Sequence, residues 1–222
     1  MHMGKTKVMF NKFAKEKDII IENQSIEKLE EYVYLGTLTK MSKKLDIELS
    51  RRITAGWKAF WKYKDVLKSK LPICMKRKIF NQCILPVLTY GCETWTSTKK
   101  INQRLAVTQR AMERSMLGIT RRDRKSNKWI REQTKVMDVV EKIRTLKWRW
   151  AGHVARMQDN RWTNVITSWY PRDGTRKRGR QETRWRDDIV KAAGATLERT
   201  ALDRQQWKTL EEAFVLQWTL QG

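Results

Sequence analysis

Few residues of this 222-residue sequence have the types and spacing that bond-making chemistry needs. Asp187 and Asp188 are the most obvious candidates, since adjacent acids can seed a divalent-metal site. On a helix, however, neighbouring side chains point about 100° apart and cannot clamp one ion together. With Arg184 and Arg186 beside them, exposed ion pairs are expected. His153 has no cysteine or histidine near it in sequence, which suits a packed or capping imidazole better than a ligand or general base. Cys74, Cys83 and Cys92 are odd in number and nine residues apart. They match neither a disulfide framework nor zinc-ligand spacing, so reduced, buried thiols are expected. No metal site and no cofactor are expected of the chain.

Chemistry of recognition is better represented. Lys147-Trp148-Arg149-Trp150, Arg161-Trp162 and Arg184-Trp185-Arg186 interleave indoles with cations. Indole faces can stack on bases while arginines take phosphates; equally, the indoles can be core with basic chains covering their edges. Spacing places Trp150 on an apolar stripe and Trp148 off it, so Trp150 is expected inside and Trp148 outside, next to Lys147 and Arg149.

Charge sets the class of partner. Lys and Arg number 48 against 24 Asp and Glu, a net +24. Repulsion of that size opposes compaction and usually persists because a polyanion neutralises it. The excess is local: residues 41–120 carry 17 basic and 5 acidic groups, residues 121–180 carry 18 and 6, and the flanking segments are nearly balanced. Lys58, Lys62, Lys68, Lys76, Arg77 and Lys78 are candidate phosphate contacts in the first stretch. Arg121, Arg122, Arg124, Lys125, Arg176, Lys177, Arg178 and Arg180 are candidates in the second. The last four lie in Pro171–Gln181, a loop without apolar side chains that could clamp phosphates, serve as a nuclear address or simply be solvated. The sequence has no apolar run of membrane-spanning length and no signal peptide at its start, so an intracellular, nuclear protein without a membrane partner is expected.

The elements that position these residues follow from apolar spacing. Residues 1–40 read as a small antiparallel β patch: Val8–Phe10, Asp18–Glu22 turning at Asn23-Gln24 into Ser25–Glu27, and a third strand over Tyr32–Leu38. From Lys43 the apolar period becomes helical. Leu45, Leu49, Ile53, Trp57, Phe60 and Leu67 form the first stripe, and a second helix runs over Met75–Tyr90 with a kink at Pro86. A third starts at Ser97 or Thr98 and stops at Gly118. Residues 41–120 thus predict a three-helix bundle centred on Leu49, Ile53, Trp57, Ile84, Leu105 and Met112. A basic, Trp-rich helical region over 121–170 follows, with a short helix from Ser126 or Asn127 and a longer one from about Asp138. The loop at 171–181 and helices over 182–222 complete an α+β, mostly α chain.

Six segments in order carry a family resemblance. Lys5–Asn11 and Tyr34-Leu35-Gly36 resemble the last palm motifs of LINE-type (non-LTR) retrotransposon reverse transcriptases. Ile84–Trp95, Arg114–Ile119, Trp150–Arg156 and Arg184–Asp188 resemble the sequence that follows the palm in endonuclease–reverse transcriptases of that group. The resemblance implies a palm remnant at 1–40, a thumb-like bundle at 41–120 and a basic tail. It makes Lys5 or Lys7 the lysine that helps protonate pyrophosphate, and Tyr34-Leu35-Gly36 a primer grip. The family's paired aspartates bind two Mg²⁺ ions upstream of the Lys-Thr-Lys motif. Here only Met1–Gly4 precede it, and residues 1–15 contain no acid. The expectation is a non-catalytic C-terminal part of an RNA-directed DNA polymerase, holding template–primer duplex or structured RNA by its backbone and completed by a separate palm and fingers. The alternatives are a domesticated, stand-alone nucleic-acid-binding or architectural protein and a remnant without function.

Overall fold

Strands are confined to the first forty residues and helices fill the rest of the computed structural model, which describes residues 2, 5–11, 14–40, 45–157, 162–168 and 183–216. The fold is α+β and mostly α. Internal contacts divide the chain into two units, Met1–Arg51 and Arg52–Gly222.

In the first unit the expected single antiparallel patch is instead three two-stranded sheets. β1 (Lys7–Val8) pairs in parallel with β4 (Glu27–Lys28). β2 (Ile20–Ile21) and β3 (Gln24–Ser25) form a hairpin whose turn falls at Glu22 and Asn23, both with positive φ, one residue before the expected place. The strand expected over 32–38 is folded in two, β5 (Glu31–Tyr34) pairing with β6 (Thr37–Lys40). Its two turn residues, Leu35 and Gly36, have φ of 46° and 79°. A left-handed pair matches the twist of a two-residue hairpin, but a leucine there costs about 1–2 kcal/mol, which is why spacing alone did not mark the turn. Arg51 donates to the Gly36 carbonyl and Glu48 accepts the Leu38 N–H at 3.0 Å, tying the hairpin to the start of α1 (Leu45–Lys62).

In the second unit α1 continues into α2 (Lys64–Leu67), burying Phe60 and Leu67. The expected helix over 75–90 is α3 (Ile73–Ile79), a π turn over Phe80–Ile84, and α4 (Leu85–Leu88). Pro86 sits in the first turn of α4, directly after the π turn. Gly56 lets α1 meet α4: a Cβ there would lie 2.3 Å from a Leu88 methyl. α5 (Lys99–Leu117) starts where Thr98 accepts the Ile101 N–H and ends at left-handed Gly118. Leu105 and Met112 line its buried side with Ile84 of the π turn also inside, whereas Ile53 and Trp57 are only half-buried. Ser126 and Asp138 cap α6 (Asn127–Thr134) and α7 (Val139–Ala155) with side-chain oxygens.

α7 is the central helix. It packs against a 3-10 turn at Cys92–Thr94, against α5, and against α10 (Leu197–Leu202) and α11 (Arg204–Leu216). Its buried arc therefore extends past Val139, Ile143 and Val154 to Arg144, Lys147, Trp148 and Ala151. Trp148 stacks on Trp207 with ring centroids 4.1 Å apart, and Phe214 lies 4.8 Å away. The two indoles exchange N–H bonds with each other's backbone carbonyl, at 2.9 and 3.2 Å. Gly152 admits this stack, since a Cβ would lie 2.4 Å from the Trp207 Nε1. α9 (Asp187–Ala193) adds Ile189 to the same core. The remaining helix, α8 (Trp162–Ser168), leaves Trp162 exposed.

Candidate nucleic-acid interface

Among the described residues, the clearest array of exposed cations is built on the turn between α5 and α6. Gly118 ends α5, and Thr120 opens a 3-10 turn over Arg121–Asp123. Asp123, the only acid between Thr120 and Lys128, faces the chain: its carboxylate accepts the Thr120 N–H at 2.6 Å and the Thr120 hydroxyl at 2.9 Å. Those bonds hold its pKa below the ordinary carboxylate value, the backbone bond contributing most. Arg124 turns the chain with φ of 49°, and Ser126 starts α6 by accepting the Trp129 N–H at 3.1 Å. Arg121, Arg122, Arg124, Lys125 and Lys128 all project into solvent from this capped turn. Lys125 also lies 5.2 Å over the Trp129 ring. Lys128 belongs to this array although the spacing of residues did not single it out; its neighbours at 121–125 were the available signal.

α3 is brought to the same corner. Lys76, expected on the surface, is buried and donates to the Met116 carbonyl at 3.1 Å, where a cation suits the negative end of α5. Burial lowers its pKa. Arg77 is half-exposed and Lys78 exposed; with Asn81 and Gln82 they line an open concavity of 530 Å³. α3 also packs against α6. Lys58, Lys62 and Lys68 are exposed around α1 and α2.

Lys147 and Trp148 are not surface groups. Lys147 is 1% exposed and bonds both Asp188 oxygens, at 2.8 and 2.9 Å. Burial lowers its pKa, while Asp188 opposes the shift. Trp148, expected outside, is fully buried, and Trp150, expected inside, is half-buried. The apolar stripe of α7 identified one buried side; the second was hidden because it includes Arg144 and Lys147. Arg149 is exposed but paired with Glu211 at 2.9 Å. Asp188 therefore answers Lys147 rather than the neighbouring arginines, and Asp187 accepts the Arg184 N–H at 2.7 Å. His153, expected to pack or cap, is exposed against the Trp150 ring. Of the cysteines only Cys92 is buried, with its pKa raised by burial; Cys74 is exposed.

Arg144 donates to the Phe214 and Val215 carbonyls, and burial lowers its pKa to about 10. A buried ionic network joins α5, α6 and α7. Arg110 bonds Glu113 at 2.6 and 2.7 Å and Asp138 at 2.8 Å, Arg131 also reaches Asp138, and Thr134 donates to Glu113 at 2.9 Å. Burial raises the Glu113 pKa, with Arg110 the main opposing influence.

In the first unit Lys5 is exposed, and Lys7 is half-buried and ion-paired to Glu27. Tyr34, Leu35 and Gly36 form the exposed tip of the β5–β6 hairpin. Arg176, Lys177, Arg178 and Arg180 lie outside the described residues. Among the described residues no three His, Cys, Asp or Glu side chains converge on a possible metal position, and no helix is long and apolar enough to cross a membrane.

Several motif residues meet as structure. Trp185 donates its indole N–H to the Glu93 carbonyl at 2.6 Å, joining Arg184–Asp188 to Tyr90–Trp95 across 92 residues. Gly152 of the Trp150–Arg156 segment seats Trp207. These segments thus meet in packing contacts.

No protein-family profile and no solved structure match the chain. Its sequence is 33% identical over 224 residues to an uncharacterised transposon-derived protein of Caenorhabditis elegans, covering 93% of this chain and 80% of the relative. With that identity and that coverage, the chain belongs to this transposon-derived family.

Proposed function

We propose that this chain holds nucleic acid by its phosphate backbone, as the post-palm part of a LINE-type reverse transcriptase, and contributes grip rather than chemistry. The observation that carries the reading is the capped turn at 120–128, where five cations face solvent and the one acid is bonded to Thr120 as a cap. A duplex of A-like form offers phosphates and shape rather than readable base edges, so a rigid display of point charges suits it. Motif order supports the assignment to a retroelement, and the transposon-derived relative supports the coarser statement of an origin in a transposable element. In this reading Mg²⁺ chemistry belongs to a separate palm, and the chain works in the nucleus.

The test is a duplex-binding titration beside a primer-extension assay. Engagement of roughly 6–10 phosphates gives a log K against log salt slope of about −5 to −9 with little sequence preference. A flat salt response rejects phosphate holding; template-dependent incorporation rejects the non-catalytic assignment. A second reading is a stand-alone nucleic-acid-binding or architectural protein of transposon-derived origin. A chain that binds duplex steeply without stimulating a polymerase supplied in trans supports that reading.

A further inference from the structure

The segment from Trp57 to Pro72 holds five lysines and one acid, and a stacked aromatic pair stands among them. Trp61 projects from the last turn of α1 and is 48% exposed. Trp57, one turn earlier, stacks against it with centroids 6.2 Å apart and planes inclined by 26°. Phe60, fully buried, meets Trp61 edge-on at 5.8 Å. The indole is therefore held by its neighbours yet open to solvent. Lys58 and Lys62 are exposed on the same helix, and Lys68 of the following turn reaches over the ring, its ammonium 5.4 Å from the centroid.

We propose that Trp61 is a stacking platform for an unpaired nucleobase, with Lys58, Lys62 and Lys68 taking the flanking phosphates. This rests on the phosphate-holding function and adds to it a site for single-stranded nucleotides. An oriented indole loses little freedom when a base is laid on it, and any base offers a π face, so the site is indifferent to sequence. Lys68 gives the arrangement a resting state. Its cation–π contact covers the ring in the free protein and is weak at an exposed position. An arriving base displaces the ammonium, which lies within reach of the phosphate that arrives with the base. Charge complementarity selects the occupant: an apolar peptide segment would gain the same ring but nothing from three lysines.

The experiment measures affinity and salt slope for a blunt duplex and for the same duplex with a single-stranded overhang, on the full chain and on Trp61→Leu and Trp61→Phe. Leucine keeps apolar bulk over Phe60 without a flat face, and phenylalanine keeps a flat face, so folding and stacking are separated; matching thermal midpoints verify the fold. The expected result is that the overhang binds more tightly than the blunt duplex to the wild type. Trp61→Leu removes that preference, weakening overhang binding about tenfold with its salt slope unchanged, while Trp61→Phe keeps most of it. Lys68→Gln shallows the overhang slope by about one unit. Unchanged overhang binding in Trp61→Leu, or an equal loss on both ligands, overturns the platform and leaves phosphate holding intact. If the wild type binds both ligands without salt dependence, both readings fall together.

Discussion

The turn at 120–128 and helix α7 draw on the same residue types and use them in opposite ways. In the turn, five exposed cations emerge from a short backbone fixed by Thr120, Asp123 and Ser126, with Lys125 over the Trp129 ring and near the Asp123 carboxylate. In α7, Arg144 and Lys147 are inside, bonded to carbonyls of α11 and to Asp188, and even exposed Arg149 has an acid partner. Net charge is therefore a poor map of a binding surface. What distinguishes a ligand-facing cation from a structural one is whether the fold supplies its counter-charge, and that depends on residues far away in sequence.

The sharpest way to break this contrast is to truncate what α7 buries. Trp148→Ala removes the stack on Trp207 and Phe214 and one indole bond to backbone. A cost of about 3–5 kcal/mol is expected, read from the denaturant midpoint. An exposed, base-facing Trp148 would lose less than about 1 kcal/mol and would show its loss in binding instead. Next, Asp188→Ala leaves the Lys147 ammonium buried without its partner, at about 3 kcal/mol, whereas Lys147→Met with Asp188→Ala restores part of that stability because the buried ammonium is gone and only Arg144, bonded to the Phe214 and Val215 carbonyls, has lost the Asp188 charge. Equal destabilisation of the single and double variants would mean that Asp188 acts through something other than Lys147. Gly152→Ala follows at about 1–3 kcal/mol, since its Cβ would press into the Trp207 ring; unchanged thermal stability would show that the stack can slide.

These contacts also mark what was legible in the sequence. Local signals were: Thr98, Gly118, Ser126 and Asp138 delimit helices because capping is chemistry among neighbours. The exposure of Arg121, Arg122, Arg124 and Lys125 followed from a polar joint with no apolar residue to bury. Trp148 was not legible because its partners are 59 and 66 positions away, and a helix packed on more than one side has no single stripe. Lys76 and Lys147 looked like surface charges because their acceptors, the Met116 carbonyl and Asp188, are set by tertiary packing. The hairpin turn at Leu35-Gly36 escaped because leucine seldom takes a left-handed conformation.

On the turn itself the expected effect on folding is small and the effect on binding large. Replacing Arg121, Arg122 and Lys125 with Gln changes stability by less than about 0.5 kcal/mol, since exposed charges contribute little. The duplex-binding slope becomes shallower by about one unit per phosphate contact removed. An unchanged slope would move the interface to Lys58, Lys62, Lys78 or residues beyond the turn.

The finest test asks whether the turn works by charge alone or by holding its charges in place. Asp123→Asn and Asp123→Ala both delete one negative charge, so long-range attraction to a polyanion strengthens equally in the two. They differ at the cap: an asparagine oxygen can still accept the Thr120 N–H, and alanine cannot. If pre-organisation matters, Asn binds duplex at least as tightly as the wild type and Ala binds more weakly than Asn at the same salt concentration. Equal affinities would reduce the turn to a bag of charges. The pH dependence has a defined sign. The Asp123 carboxyl is held below its ordinary value by the Thr120 bonds, so its contribution to the ordered turn is complete above the unfolded value of about 3.9 and fades as pH falls through the lower folded value. A carboxyl titration followed by NMR should give an Asp123 midpoint below that of an unstructured aspartate, and Thr120→Ala, which deletes the hydroxyl donor, should raise it. A midpoint unmoved by Thr120→Ala would show that the backbone bond holds the carboxylate alone.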